Sequence, residues 1–205
     1  VDSLAHAHWL GCTWQQDAAE CSDVLSALQP DWLIVDHYAL DIEWENALRS
    51  HCLYIGVIDD LADRRHIGEL LIDQTLDRSS AEYQDLVPNS CTLLTGARYA
   101  LLRPEFSQSR AASLKRRTAP ILNNLLINLG GVDKDNCTGR VLSGLERSHL
   151  NSMCQMTVVM GPTAPHLKTV VSQAESSRFQ TEVKVNVTNM AELMTIADLA
   201  IGAGG

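Results

Sequence analysis

Short apolar or alternating runs punctuate the chain, most of them stopped by an acidic residue or a glycine. Trp32–Val35, Leu53–Ile58, Leu70–Ile72 and Cys91–Thr95 form one group, and Asn124–Leu129, Met156–Met160, Thr181–Val187 and Leu199–Ile201 a second. Runs this short, rich in Leu, Ile and Val, predict buried strands. Stretches with helical spacing lie between them. In Asp17–Gln29 the residues Ala18, Cys21, Val24, Leu25 and Leu28 fall on one face, with Asp17 as cap and Pro30 as stop. Asp41–His51 puts Trp44, Ala47 and Leu48 inward, and Ser79–Pro88 reads as loop or short helix. Further helices are predicted over Ser107–Arg117, Asn136–Ser148, Pro165–Ala174 with Pro165 in the first turn, and Asn189–Ala197 with Asn189 and Glu192 as a capping box. Strand–helix alternation with short links predicts an α/β protein with parallel sheets and right-handed crossovers.

Between the two groups, Arg98–Phe106 is expected to be an extended crossing segment, because Pro104 disfavours helix before it. This places a domain at 1–103 and another at 104–205. The basic run Lys115-Arg116-Arg117 is expected to be a solvated face near a helix C-terminus, where cations suit the dipole. The chain starts at Val1 without a methionine and ends on Gly-Ala-Gly-Gly, so an internal fragment of a longer protein is expected, with both domains incomplete.

The second group contains Leu-Leu-Ile-Asn-Leu-Gly-Gly-Val-Asp over 125–133. A strand, a paired glycine at Gly130-Gly131 and a helix capped by Asp133 or Asn136 is the unit that presents backbone N–H groups to phosphate. Gly202, Gly204 and Gly205 make a second glycine turn at a strand's carboxyl end. Two such turns in one block point to a nucleotide site.

Charge sharpens this picture. The chain of 205 residues carries a net charge of −9, and the excess of acid lies in its first half. That argues against nonspecific nucleic-acid binding and places an anionic ligand on the nearly neutral second half. No apolar run is long enough to span a bilayer, and no signal peptide is visible. The six cysteines form no C-x-x-C pair, which points to a reducing cytosol, so a cytoplasmic protein is expected. His6-Ala7-His8 lacks a third ligand nearby and reads as surface. No metal and no cofactor are expected.

Candidate chemistry in the first half sits just past the strands. Asp36, His37 and Tyr38 follow Trp32–Val35, at the edge that lines the crevice of open α/β sheets. An acid, an imidazole and a phenol there could transfer protons or grip a sugar; equally, Asp36 could cap the next turn while Tyr38 packs. Asp59-Asp60 follows the next strand. The pair could hold a metal or sugar hydroxyls, but a structural role capping Leu61–Arg65, with Arg64 or Arg65 as ion partner, is favoured.

Seven segments carry a family resemblance: Asp-Trp-Leu-Ile-Val-Asp-His-Tyr-Ala-Leu-Asp (31–41), Val-Ile-Asp-Asp-Leu-Ala-Asp-Arg (57–64), Leu-Leu-x-x-Gln (70–74), Tyr-Ala-Leu-Leu-Arg-Pro-Glu-Phe (99–106), Leu-Ile-Asn-Leu-Gly-Gly-Val-Asp (126–133), Gly-Pro-Thr-Ala-Pro-His-Leu (161–167) and the closing Asn-Met-Ala-Glu-Leu-Met-x-x-Ala-Asp-Leu-Ala-Ile-Gly-Ala-Gly-Gly (189–205). In this order they resemble the UDP-2,4-diacetamido-2,4,6-trideoxy-β-L-altropyranose hydrolases of pseudaminic acid biosynthesis, the PseG/SpsG group. The resemblance runs from about Trp9 to the end. It implies two Rossmann-like domains of the glycosyltransferase-B, MurG-like type, and metal-free hydrolysis of a UDP-sugar at the anomeric carbon. It also implies Asp36, His37 and Tyr38 on the sugar side and the two glycine turns on the nucleotide side. The family's general base is a histidine in a G-x-G-H loop that this chain lacks, so the chain alone is expected to turn over poorly. His37 is a possible substitute base. A glycosyltransferase of the same fold and a non-catalytic nucleotide-sugar binding module are the alternatives.

Overall fold

The computed structural model describes residues 4–118 and 121–203. The chain divides into two compact units, Val1–Leu101 and Leu102–Gly205. Each has its own four-stranded parallel sheet, and among the described residues no strand pairing joins the two sheets.

In the first unit β1 (Trp32–Val35), β2 (Tyr54–Ile58), β3 (Leu70–Asp73) and β4 (Thr92–Thr95) lie in sequence order, all parallel. Two helices, α1 (Trp14–Leu28) and α2 (Ile42–Leu48), cover one face. Ala18 and Leu25 of α1 and Trp44 and Leu48 of α2 pack with Val35, Ile55, Val57, Leu71 and Tyr83 into one core. On the other face Trp32 and Ile34 are exposed, and Trp32 stacks on Tyr54 with ring centroids 4.8 Å apart. A Cβ at Gly56 would come within 2.9 Å of the Ile34 side chain, so this residue lets that face close up.

The start of α1 differs from the sequence expectation. Thr13, not Asp17, is the cap, accepting from the Gln16 N–H at 3.2 Å. Asp17 lies one turn in and takes the Trp44 indole N–H at 2.7 Å, so it ties α1 to α2 instead. Ser79 and Glu82 form a full capping box on the short 3₁₀ turn Ser80–Tyr83.

In the second unit the order is β7-β6-β5-β8, again all parallel, with β5 (Asn124–Asn128), β6 (Gln155–Met160), β7 (Thr181–Val185) and β8 (Leu199–Gly202). The chain winds outward from β5 to β7 and then returns to the other side of β5. The order therefore reverses between β5 and β8. The helices are α3 (Pro104–Arg116), α4 (Cys137–Glu146), α5 (Leu167–Glu175) and α6 (Met190–Ile196). Ile127, Leu142, Met156, Val158 and Val170 form the main core, and Leu126, Val159, Leu193 and Ala197 a second one on the opposite face.

Three expectations fail here for local reasons. Pro104 does not extend a crossing strand; it opens α3 at the first helical position, where its missing N–H costs nothing, with Arg103 extended before it and the 3₁₀ turn Ala97–Tyr99 ahead. Asn189 precedes α6 but accepts no backbone N–H; its side-chain amide donates to Glu192 at 2.8 Å, so the capping box does not form. Pro165 lies ahead of α5, which starts at Leu167. The basic run also does more than meet solvent. Arg116 donates to the carbonyls of Thr195 and Ala197 and pairs with Asp198, whose other oxygen takes the Asn123 and Asn124 N–H groups. One guanidinium thus locks α3 to the entry of β5 and of β8.

Candidate functional site

Parallel strands deliver their carboxyl ends to one edge, so each unit gathers polar residues there. In the second unit the edge at the point of reversal carries the Gly130-Gly131 turn and Gly202. Asn128 of β5 is in register with Gly202 of β8, and Gly130-Gly131 follows β5 directly. The order reversal makes this the crevice where open α/β sheets take ligands. Gly130 has φ +94, a backbone conformation that suits glycine. The Gly161 N–H donates to the Gly131 carbonyl at 2.9 Å, and a Cβ at Gly161 would lie 2.2 Å from that oxygen. The loop after β6 is thus pressed against the turn and holds it. Gly204 and Gly205 lie outside the described residues.

The N-terminus of α4 is not open. Asp133 accepts from the Cys137 and Thr138 N–H groups, both at 2.8 Å, and Asn136 from Gly139 at 3.2 Å. Burial would raise the Asp133 pKa, but hydrogen bonds from the Thr138 side chain and from the Thr138 and Cys137 amides outweigh it and hold the carboxyl below its usual range. Both candidate caps therefore act together, and they fill the amides a phosphate would have used. Among the described residues, the Gly131 N–H has no acceptor, whereas Gly130 donates to Asn128 Oδ1 at 3.1 Å. Beside the turn a depression of about 710 Å³ is lined by Leu129, Cys137, Arg140, Arg147 and Gln173 among others.

In the first unit the edge is acidic. Asp36 after β1 is exposed, and Asp59 after β2 and Asp73 at the end of β3 are buried. Tyr83 is fully buried, with its hydroxyl 2.8 Å from Asp59 Oδ2 and 2.7 Å from Asp73 Oδ2. One phenolic proton serves both carboxylates. Burial, then the bonds to Asp73 and Asp59, push the Tyr83 pKa far up, so it stays a donor. The cluster is balanced by two guanidiniums. Arg64 Nη1 lies 2.7 Å from Asp59, and Arg78 Nε 2.6 Å from Asp73. Burial works against ionised Asp59, but the Ala62 N–H, the Tyr83 hydroxyl and Arg64 keep its pKa low.

These cations also hold the loops above them. Arg64 Nε donates to the Leu40 carbonyl at 2.8 Å, and Arg78 Nη2 to the Asp60 carbonyl at 2.6 Å. Those loops carry Tyr38 and Asp60, whose side chains meet: the Tyr38 hydroxyl donates to Asp60 Oδ2 at 3.0 Å. That bond, then burial, raises the Tyr38 pKa. The adjacent aspartates therefore split roles. Asp59 is structural, and Asp60 faces solvent with Tyr38.

His37 is turned into its own loop. Its Nδ1 accepts the Ala39 N–H at 3.1 Å. In that neutral tautomer the proton sits on Nε2, which leaves no lone pair to take a proton from water. Among the described residues, Asp36 has no hydrogen-bond partner, and no group of three potential metal ligands occurs. Sequence reasoning missed Glu45, His66, Asp73, Tyr83 and Arg78. Glu45, fully buried, accepts from His66 Nδ1 and the Ile67 N–H, and so ties α2 to the segment before β3. The Glu45 and Tyr83 contacts join residues 10 to 24 apart, beyond any local pattern, and Arg78 reaches Asp73 only five residues back.

No family model matches the chain. It is similar to three curated proteins. One is the UDP-2,4-diacetamido-2,4,6-trideoxy-β-L-altropyranose hydrolase of Campylobacter jejuni, 25% identical over 163 residues, which are 79% of this chain and 55% of the relative. Another is the spore coat polysaccharide biosynthesis protein SpsG of Bacillus subtilis, 29% identical over 119 residues, 58% of this chain and 34% of the relative. The third is the uncharacterized protein MJ1062 of Methanocaldococcus jannaschii, 25% identical over 183 residues, 87% of this chain and 37% of the relative. The chain thus spans about half of the hydrolase and about a third of the other two. The two four-stranded parallel sheets make this an α/β protein consistent with Rossmann-like folds, and the chain is distantly similar to a UDP-sugar hydrolase and a spore coat polysaccharide biosynthesis protein. Among the described residues no helix is long and apolar enough to cross a membrane.

Proposed function

We propose that the chain is part of an enzyme of the glycosyltransferase-B fold type that hydrolyses a UDP-sugar at its anomeric carbon, releasing UDP and a free 2,4-diacetamido-2,4,6-trideoxyhexose. One observation carries the reading: Gly130-Gly131 and Gly202 end neighbouring strands where the sheet order reverses. The unit bearing them holds 11 Lys and Arg against 8 Asp and Glu, net +3, whereas the first unit holds 5 Arg against 17 acids, net −12. The diphosphate is assigned to the second unit and the sugar to the first.

In the reaction water attacks the anomeric carbon while the bond to the diphosphate oxygen breaks, and the electron pair leaves with UDP. The Gly131 N–H and nearby cations meet the charge of the leaving group. Tyr38, Asp60 and Asp36 present a phenol and two carboxylates to the sugar or the water. His37, held as described, orients its loop better than it serves as base.

The test follows UDP-N-acetylhexosamine and the 2,4-diacetamido sugar nucleotide by NMR with the purified chain. Paired appearance of UDP and free reducing sugar, even if slow, supports hydrolysis. Consumption only when an acceptor sugar is added indicates a transferase. Saturable binding with no product even at high protein concentration indicates a binding module and refutes the catalytic reading for this chain.

A further inference from the structure

Three aromatic rings meet at the acidic edge of the first unit, and the strand-end chemistry does not account for them. Ala7–Leu10 forms a short 3₁₀ turn closed by Gly11 at φ +77. Leu10 anchors the turn by packing against the core of α1, α2 and the sheet. That leaves Trp9 outward, 55% exposed. Its ring centroid is 5.6 Å from that of Tyr38 and 4.6 Å from that of His6, and His6 is 5.4 Å from Tyr38. The Tyr38 hydroxyl reaches Asp60 at 3.0 Å, and Asp36 is two residues from Tyr38.

An exposed indole is expensive to leave in water, and this one is held at a fixed site between two other rings. Aromatic faces beside carboxylates match one ligand class well. A pyranose offers a patch of axial C–H bonds that stacks on a ring, and equatorial hydroxyls that donate to carboxylates. The charge narrows the class further. Asp36 and Asp60 border the rings, and the unit is net −12, so an anionic sugar is repelled.

We propose that Trp9, with His6 and Tyr38, is a stacking platform for the ring of a neutral hexopyranose, with Asp60 and Asp36 as hydroxyl acceptors. The inference rests on the nucleotide-sugar reading and names the residues that select the sugar.

Calorimetric titration with UDP, UDP-N-acetylglucosamine and UDP-glucuronate tests it, using wild type, Trp9→Phe and Trp9→Ala. Wild type should bind UDP-N-acetylglucosamine more tightly than UDP, and UDP-glucuronate more weakly than UDP-N-acetylglucosamine. Trp9→Ala should weaken the neutral UDP-sugar by about tenfold and leave UDP unchanged, while Trp9→Phe should retain most of the affinity. Should Trp9→Ala fail to fold, saturation-transfer NMR on wild type must show magnetisation reaching the sugar ring protons. Equal affinity of wild type and Trp9→Ala for the neutral UDP-sugar, or no saturation of those protons, overturns the platform. UDP binding with no gain from the sugar overturns the platform and leaves the nucleotide assignment standing. Binding of neither ligand overturns both.

Discussion

Removing one oxygen at Tyr83 isolates the cluster that shapes the acidic edge. Tyr83→Phe keeps the buried ring and deletes the hydroxyl that lies within 2.8 Å of Asp59 and 2.7 Å of Asp73. Both carboxylates are buried, at 3% and 0% exposure, so water does not replace the lost donor. A hydrogen bond to a charged group contributes about 1.5–3 kcal/mol, and an unsatisfied buried group costs a similar amount. Arg64 and Arg78 remain to hold the two charges, which keeps the loss near the lower sum, about 3 kcal/mol. All four tryptophans lie in the first unit, so urea unfolding followed by tryptophan emission reads this unit selectively. The sign with pH follows from Asp59. Its folded pKa lies below the unfolded one, so it stabilises above the unfolded value and loses this as pH falls through the folded value. Without the phenol its folded pKa rises, so the penalty should be largest near neutral pH and shrink toward pH 4. A loss under about 1 kcal/mol at pH 7, or a penalty that grows on acidification, would refute the shared-proton reading.

Other outcomes follow from the same geometry. Asp198, raised by burial but lowered more by Arg116 and the Asn123 and Asn124 amides, has a pKa of about 2. Against an unfolded value of about 3.9 this amounts to about 2–3 kcal/mol, present above the unfolded value and lost as pH falls through the folded value near 2. Asp198→Asn should lower stability by that order at pH 7 and flatten the acid limb, as read by circular dichroism. Gly161→Ala should push the loop after β6 off the Gly131 carbonyl, destabilise by about 1–3 kcal/mol and weaken UDP binding measured by calorimetry. Unchanged UDP affinity would remove that turn from the nucleotide site. Tyr38→Phe should lower the rate of UDP release by more than about tenfold, about 1.4 kcal/mol, with the melting temperature nearly constant. An unchanged rate would take the hydroxyl out of the reaction.

Most strands were legible in the chain as short aliphatic runs ended by an acidic or glycine residue, as in Trp32–Val35 before Asp36, whereas β7 showed only the alternation of Thr181-Glu182-Val183-Lys184-Val185. Helix starts were harder to place. Thr13 and Asp17 are both good caps by composition, and what settles the matter is the Trp44 indole, 27 residues away, which claims Asp17. Pro104 carries opposite messages for the residue before it and for its own position, and the structure honours both, with Arg103 extended and Pro104 at the first helical position of α3. The edge chemistry was half legible. Tyr38 and Asp60 stand after their strands and do meet, but which aspartate of the pair turns inward depended on Arg64 and Tyr83. Nothing local distinguishes Tyr83 from a surface residue of a polar loop.

The two units solve the problem of charge at strand ends in opposite ways. In the first, carboxylates are drawn into the protein and matched by Arg64, Arg78 and one phenol, which frees Asp60, Asp36 and Tyr38 to face outward on a rigid base. In the second, Asp133 and Asn136 seal the N-terminus of α4, so the dipole of that helix is already answered by protein. A diphosphate bound there must therefore be held by turn amides such as the Gly131 N–H and by cations, not by the first amides of α4. Asp133→Asn probes this directly. It keeps the side chain's shape but weakens the cap by removing its charge, so stability should fall by about 0.5–2 kcal/mol. UDP affinity should rise slightly or hold, since one negative charge leaves the site. A tenfold loss of UDP affinity with stability unchanged would show that Asp133 meets the nucleotide itself and that the cap is not its main role.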